Sequence, residues 1–287
     1  MTDHPDSRRM KLLQMLADTS TGIPLSDCAR ALGVDERTIR RDAVHLQELL
    51  GRVRGVSVRR NVLVPEGEGL GPGYFAKQVQ ARKDVKEAIA RRIVGSLADN
   101  TALVITAGTS TYYVAREIRR ASIEQTCASG LIVFTNSLPA LMELISAGVS
   151  TGVLGEVFNP DDYAFHTHEL HSTFNPAIAI VGASGILANP ATASLDLFSH
   201  RAEEAAFMKQ VLAPVPEIIV AADASKIGRR HPWSFTGGGV LAGKLVRLYT
   251  DPLAHDQREA LQRLMSASHR SGFRLVVEEV NPGADRP

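Results

Sequence analysis

Cysteine is almost missing from this chain: Cys28 and Cys127 are the only two in 287 residues, far apart and in no Cys-x-x-Cys pair. That spacing excludes a disulfide framework and a zinc knuckle. No apolar run approaches the roughly 18 residues that a membrane-spanning helix needs. The opening Met1-Thr2-Asp3-His4-Pro5-Asp6 lacks the basic stretch followed by an apolar one that marks a secretory signal. A large excess of either charge is also absent, with a net charge of +1. These absences predict a cytoplasmic protein without a membrane span. What is present is ordinary globular material: 44% hydrophobic and 22% charged residues, enough for a buried core and unlike a disordered chain. At about 100–200 residues per domain, the length fits one large domain or two unequal ones.

The charge is unevenly placed. Residues 1–60 hold ten Arg and one Lys against six Asp and two Glu, a local net of +3. Between 37 and 60, Arg37, Arg40, Arg41, Arg52, Arg54, Arg59 and Arg60 face only Asp42 and Glu48. The Arg fork suits phosphate oxygens and guanine edges. On charge alone a solvated basic face fits as well.

Pattern separates the two. A first helix is predicted from near Ser7 to Ala17, with Leu12, Leu13 and Leu16 on one side. Ser26 is expected to cap a second helix through Leu32, with Gly33 as its left-handed C-terminal residue. Asp35 then caps a third helix reaching about Leu50. On that helix Ile39, Ala43, Leu46 and Leu50 form one apolar stripe, while Arg37, Arg41 and His45 project from the opposite side with Thr38 and Arg40 on the flanks. Two helices joined by a tight Gly-containing turn are helix-turn-helix geometry, and such a face is suited to a major groove. Arg52-Val53-Arg54 and Val56-Ser57-Val58-Arg59 alternate at period 2 and read as a small hairpin, a wing whose Arg residues track the backbone.

The run Leu32-Gly33-Val34-Asp35-Glu36-Arg37-Thr38-Ile39-Arg40-Arg41-Asp42 resembles the signature of the DeoR family of bacterial transcriptional regulators, Leu-Gly-Val-Ser-x-x-Thr-Ile-Arg-Arg-Asp-Leu. Asp35 stands where the family usually has Ser, and Arg54-Gly55-Val56 replaces its usual wing sequence. The resemblance implies that Thr38, Arg40 and Arg41 lie at the surface of double-stranded operator DNA. Ser26, Arg37, His45, Arg52 and Arg54 complete the DNA-facing candidates. A structural ion pair within the domain is the alternative reading of Arg41 and Asp42.

Four Gly and two Pro between Pro65 and Tyr74 support neither a helix nor a central strand, so this stretch is a hinge. From 74 onward a helix over about 77–98 precedes apolar runs at 102–106, 131–134, 177–181, 217–222 and 245–249. Helical stretches near 111–120, 138–147 and 201–213 separate most of them. Continuous apolar strands between helices indicate a parallel sheet covered on both faces, with ligands outside the strands' carboxyl ends. Those ends carry Gly108-Thr109-Ser110-Thr111, Thr135-Asn136-Ser137, Gly182-Ala183 and Asp223-Ala224-Ser225-Lys226. Helix capping explains any one of them. Together, with a Lys among them, they favour a phosphate or sugar-hydroxyl site.

The same stretches resemble the C-terminal sugar-phosphate sensor domain of the DeoR family: Lys86-x-x-Ile-Ala, Gly108-Thr109-Ser110, Thr135-Asn136-Ser137, Gly182-Ala183-x-Gly-Ile, Asp223-x-Ser-Lys226-x-Gly and Thr250-Asp251. With the N-terminal motif, the resemblance covers roughly residues 8–251. It implies an α/β fold: an N-terminal winged helix-turn-helix (1–64), a linker (65–73) and a larger Rossmann-like sensor domain (74–287) similar to sugar-phosphate isomerases. It also implies a repressor of a carbohydrate or polyol catabolic operon, with a phosphorylated sugar or polyol as effector and Lys86 among its contacts.

Two departures bear on the ligand. Leu154-Gly155-Glu156 breaks the family's usual Gly-Gly, and Pro176-Ala177 stands in the region where an Asp is usual. Nearby, His166, His168 and His171 invite a metal reading with Asp161, Asp162 or Glu169, but their spacing does not match a helical zinc site. No metal, cofactor or catalytic residue is expected. A sugar-phosphate isomerase with a DNA-binding appendage remains an alternative, with Asp223 as its only candidate base. So does a large domain that serves only oligomerisation. One small helix-turn-helix buries too little surface for tight binding, so a homodimer or homotetramer on paired half-sites is expected. The segment after Asp251, a helix near 254–271 and then Phe273-Arg274-Leu275-Val276-Val277, either covers the sheet or joins subunits.

Overall fold

The computed structural model describes residues 8–9, 11–12, 15, 23–50, 56–59, 61–65, 75, 78–126, 128–159, 162–167 and 175–283. They divide into two compact units, Met1–Ala81 with Pro160–Asp162, and Arg82–Asn159 with Tyr163–Pro287. The division falls at Ala81, where the composition of the linker had suggested 74.

In the first unit, the described positions among 8–15 are helical. They are followed by β1 (Ile23–Pro24), α1 (Leu25–Leu32), α2 (Glu36–Leu50), β2 (Val56–Arg59) and β3 (Val62–Pro65). Gly33 ends α1 with φ 64°, and its N–H donates to the Ala29 carbonyl. Asp35 accepts the Thr38 N–H at 2.6 Å, the expected cap of α2. Ser26 does not cap α1. Pro24 occupies the cap position, because the Leu25 N–H donates to the Asn61 carbonyl at 2.9 Å and starts the helix earlier. Ser26 sits exposed in the first turn.

The apolar stripe of α2 is buried as expected at Ile39, Ala43 and Leu46, packed with Leu12, Leu25, Cys28 and Leu63. Asp42 is only 1% exposed and accepts from Arg8 Nε at 2.5 Å and Arg9 Nε at 3.1 Å. Asp42 is therefore a structural ion-pair partner, but of the first helix; Arg41 stays exposed. The hairpin also differs from expectation. β2 pairs with β3 (Arg59↔Val62, Val58↔Leu63) and turns through Asn61 at φ 63°, while β1 pairs with the other edge of β3. Leu63 anchors that strand with no exposure. Arg52 and Arg54 lie outside the described residues, as do 66–74 of the hinge; Pro65 belongs to β3.

The helix expected over 77–98 is interrupted. Residues 78–80 are helical, the chain turns at Ala81 and Arg82, and α3 (Lys83–Val94) begins after Arg82, whose φ is 53°.

The second unit is built on seven strands: β4 (Ala102–Ile105), β5 (Ile132–Thr135), β6 (Ser150–Val153), β9 (Ile178–Val181), β12 (Glu217–Ala221), β14 (Leu245–Thr250) and β15 (Arg274–Glu279). Their order is β15-β14-β12-β9-β4-β5-β6, and every pair is parallel. The inner strands β4, β9 and β12 are buried almost throughout, which requires cover on both faces. On one face α3 packs on α4 (Thr109–Ile123) and α4 on α5 (Leu138–Ser146), burying Ile89, Ile93, Val114, Ile118 and Leu144. On the other, Phe207, Met208 and Val211 of α6 (Ala202–Leu212) and Leu261 and Leu264 of α7 (His255–Ala267) join Val104, Val181, Val220 and Leu248 in one core. The segment after Asp251 thus extends and covers the sheet. Three antiparallel strands β10 (Gly185–Asn189), β11 (Ser194–Ser199) and β13 (Trp233–Ser234), and a hairpin of β7 (Val157–Asn159) and β8 (Ala164–His166), were not anticipated.

Candidate anion site and arginine-bearing helix

The chain moves outward from β4 through β5 to β6, then returns to place β9 on the other side of β4 and continues to β12, β14 and β15. The direction reverses between β4 and β9. Ligands of open parallel sheets bind in the crevice outside the strand C-termini at such a reversal. The residues at 106–111, 182–184, 223–226 and 250–251 all lie at or just after the C-termini of β4, β9, β12 and β14.

After β4, Gly108 adopts φ 156°, and a Cβ there would stand 3.0 Å from Thr111 Oγ1. Thr111 is fully buried and its hydroxyl donates to the Gly108 carbonyl, so it shapes the turn. Thr109 and Ser110 are half-buried in the first turn of α4, where backbone N–H groups have no helical partner. Gly182 and Ala183 after β9 are half-buried, and Gly182 has open space where a side chain would be. Thr106 and Thr250, at the ends of β4 and β14, bury hydroxyls that have no hydrogen-bond partner among the described residues.

Thr135, Asn136 and Ser137 are turned into the fold instead. Thr135 Oγ1 donates to the Ile105 carbonyl and accepts the Ser137 N–H. Asn136 accepts the Ala107 N–H at 2.8 Å and donates to the Phe165 carbonyl. Ser137 caps α5 by accepting from Ala140. Asn136 thereby clamps the β4 turn to the β7–β8 hairpin.

Charge gathers at the ends of β12 and β14. Asp223, 3% exposed, accepts from Arg82 Nη1 at 2.8 Å and from the Ser225 N–H at 3.0 Å, with the Ser225 hydroxyl also bonded. Arg82 reaches Asp251 with its other terminal nitrogen, and Asp251 accepts the Ala224 N–H at 2.6 Å. Burial alone would raise the Asp223 carboxyl. The Ser225 hydroxyl, Arg82 and Lys226 outweigh it and hold the pKa below the usual carboxylate value. Lys86, 4% exposed on α3, is driven down to about 8 by burial, opposed by Asp223 and reinforced by Lys226 and Arg82. Three cations therefore surround two carboxylates, and the surplus positive charge is partly desolvated. The rings of His200 and His231 lie 4.0 Å apart, and burial, then His231 and Lys226, lower the His200 pKa.

Sequence reasoning had placed Lys86, Asp223 and Lys226 here but missed Arg82, His200 and His231. No local motif marks them; they arrive from a turn before α3 and from loops flanking the antiparallel strands. His166 is half-buried, while His168, His171, Asp161 and Glu169 lie outside the described residues. Among the described residues no group of three His, Cys, Asp or Glu is placed to hold a metal ion, and no helix is long and apolar enough to cross a membrane.

In the first unit, Arg37, Arg40 and Arg41 are exposed, and Thr38 and His45 are half-buried. Arg40 is hydrogen-bonded to the Asn61 side chain at the hairpin turn.

No curated protein sequence matches this chain. Solved structures similar to it include ribose 5-phosphate isomerase from Plasmodium falciparum, 18% identical with a TM-score of 0.38 over 50% of this chain and 52% of that one. The isomerase from Methanocaldococcus jannaschii is also 18% identical, with a TM-score of 0.38 over 50% and 54%. The δ subunit of eIF2B from Chaetomium thermophilum is 14% identical, with a TM-score of 0.36 over 80% and 84%. The chain spans about half the length of the isomerases that it matches. Residues 81–239 match the DeoR C terminal sensor domain, a match that begins one residue before the second unit. With more than half of its length so matched, the chain belongs to the family of that sensor domain.

Proposed function

We propose that this protein is a DNA-binding transcriptional regulator, a repressor of a carbohydrate or polyol catabolic operon, controlled in the cytoplasm by a phosphorylated sugar or related metabolite. The observation that carries the reading is the surplus positive charge of Arg82, Lys86 and Lys226 at the C-terminal ends of β12 and β14, on the same edge of the sheet as the β4–β9 reversal. The phosphate sits against the first turn of α4, on Thr109 and Ser110, with Lys86 and Lys226 as counter-ions. The sugar hydroxyls bond to Asp223 and to Thr106 or Thr250, whose buried hydroxyls gain the partners they lack. In the first unit, α2 enters the major groove with Arg37, Thr38, Arg40 and Arg41, and two copies read paired half-sites.

Regulation requires the ligand to favour one conformational state over another. Arg82 is suited to this. It is the first residue of the second unit and is held in the left-handed region by carboxylates of the effector site. A ligand that competes for Asp223 changes how Arg82 is held, and with it the chain leading back to the DNA-binding unit.

An isomerase reading fits less well. Aldose–ketose isomerisation needs a carboxylate able to accept a proton beside the sugar carbons. Asp223 is already bonded to Ser225 and Arg82 with its pKa lowered, which makes it a weak base.

The test combines a thermal-shift panel of phosphorylated sugars and polyols with selection of bound duplexes from a random DNA library. A stabilising ligand that changes duplex affinity is the expected result. Turnover of that ligand would make the protein an enzyme, and no shift across the panel would leave the large unit as a scaffold.

A further inference from the structure

Two histidines stand beside the candidate site with no part in the phosphate and hydroxyl contacts proposed for it. His200 follows β11, and His231 lies between the turn at Ala224–Lys226 and β13. Their rings meet edge to face at 4.0 Å although they come from different loops. His200 is exposed and His231 half-buried, so solvent reaches the pair.

A close backbone approach sets their position. Ile186 bridges to Ile227, and the Gly228 N–H donates to the Ile186 carbonyl at 2.8 Å, which lays the chain after Lys226 along the start of β10. A Cβ at Gly185 would stand 2.4 Å from the Arg229 carbonyl oxygen and 2.8 Å from His231 Cδ2. Glycine is what permits that approach. The same turn begins at Gly182, which leaves open space at the candidate site.

Lys226 connects the two places. Its charge acts on Lys86 and Asp223 on one side and on His200 on the other. Among the described residues, the side chains of Lys226, Arg229 and Arg230 have no hydrogen-bond or ion-pair partner, and both arginines are exposed. Positive charge of this density repels a metal cation from the two imidazoles. It suits an anion, which the ring N–H groups can meet as donors.

We propose that His200 and His231, with the charge of Lys226, Arg229 and Arg230, hold a second anionic group of the effector. The ligand is then a sugar or polyol phosphate with a carboxylate or another phosphate at its far end. The turns after β4 and β12 are two strands apart, about 10 Å at the usual strand spacing, which a sugar chain with an anion at each end can span. The inference rests on the effector reading and narrows it to one ligand class.

Isothermal titration calorimetry on the full chain tests it. Pentose and hexose monophosphates are compared with the corresponding phosphorylated aldonic acids and bisphosphates, on the parent and on His200→Gln, His231→Gln and Arg230→Gln. The parent should bind a doubly anionic ligand about 10-fold or more tighter than the matching monophosphate, the size of one hydrogen bond to a charged group. Each variant should cut that ratio by about threefold or more. Whether the acid or the bisphosphate binds tighter identifies the second group. At about pH 6.5, where Lys86 is already charged, the parent should take up more protons on binding than His200→Gln does. The comparison of ligands on the parent needs no variant, and circular dichroism checks that the variants keep the fold. Equal binding of singly and doubly anionic ligands, or a preference that all three variants retain, overturns the inference and spares the regulator reading. Absence of binding by every phosphorylated ligand overturns both.

Discussion

Arg82 donates to Asp223 at 2.8 Å while its second terminal nitrogen holds Asp251, so one side chain bridges the ends of β12 and β14. Both carboxylates are nearly buried, and the guanidinium is 39% exposed. The left-handed turn at Arg82, unusual for a side-chain-bearing residue, is thus tied directly to the candidate site.

Removing that bridge should destabilise the second unit. Breaking a buried pair from one side costs about 3–5 kcal/mol, and the partial exposure of Arg82 returns some of this to water. Arg82→Ala should therefore lose about 1–3 kcal/mol in urea denaturation. Arg82→Lys, which has no fork to span both carboxylates, should recover only part of it. A parent-like midpoint for Arg82→Ala would show the bridge to be energetically idle.

Lys86 links the site to pH. In the folded protein it loses its proton near pH 8, against 10.5 when exposed. Between those values the unfolded chain binds more protons, so this group makes stability rise with pH across that window. Lys86→Met should flatten the rise. A phosphorylated ligand needs the charged form, so its affinity should fall as pH climbs past 8. Affinity independent of pH between 7 and 9.5 would remove Lys86 from the phosphate contacts.

Asp42 should matter for folding and not for contact with DNA. Asp42→Asn leaves Arg8 and Arg9 without the carboxylate between them and should cost about 3–5 kcal/mol. The loss should appear in the first unit's unfolding transition. An unchanged transition would place Asp42 outside the stabilising core.

Arg40 and Arg41 should behave in the opposite way. Arg40→Ala or Arg41→Ala should abolish specific duplex binding, with the melting temperature and the ligand-induced shift retained. For any weak binding that survives, the salt slope should drop by about 1 for each phosphate no longer neutralised. Loss of folding would instead make these side chains structural.

The helices of the first unit were legible because their information is local. The period of Ile39, Ala43 and Leu46, the cap at Asp35 and the left-handed Gly33 each depend on residues within a few positions. The inner parallel strands were legible for a similar reason, since burial on both faces demands unbroken apolar runs, whereas the edge strand β6, Ser-Thr-Gly-Val, carries no such run and was not anticipated. The start of α1 was misread because the Asn61 carbonyl, far along the chain, accepts the Leu25 N–H. The strand Val62–Pro65 that pairs with the expected Val56–Arg59 was missed because strand partners are chosen by which side chain finds the core, and Leu63 does; Arg52 to Arg54 lie outside the described residues. At the site, motif positions located Asp223, Lys226 and Lys86. They said nothing of whether a hydroxyl faces a ligand or its own backbone. Thr111 and Thr135 do the latter, in turns that look no different on paper.

Sequence alone determined that the chain has an arginine-bearing helix near its start and an α/β unit with polar strand ends, because periodicity and capping act within a turn or a strand. Tertiary structure alone decided that Arg82 closes over Asp223 and Asp251, and that Asp42 belongs to Arg8 and Arg9. Those are contacts between residues distant in the chain, and their free energy exists only once the core has brought them together.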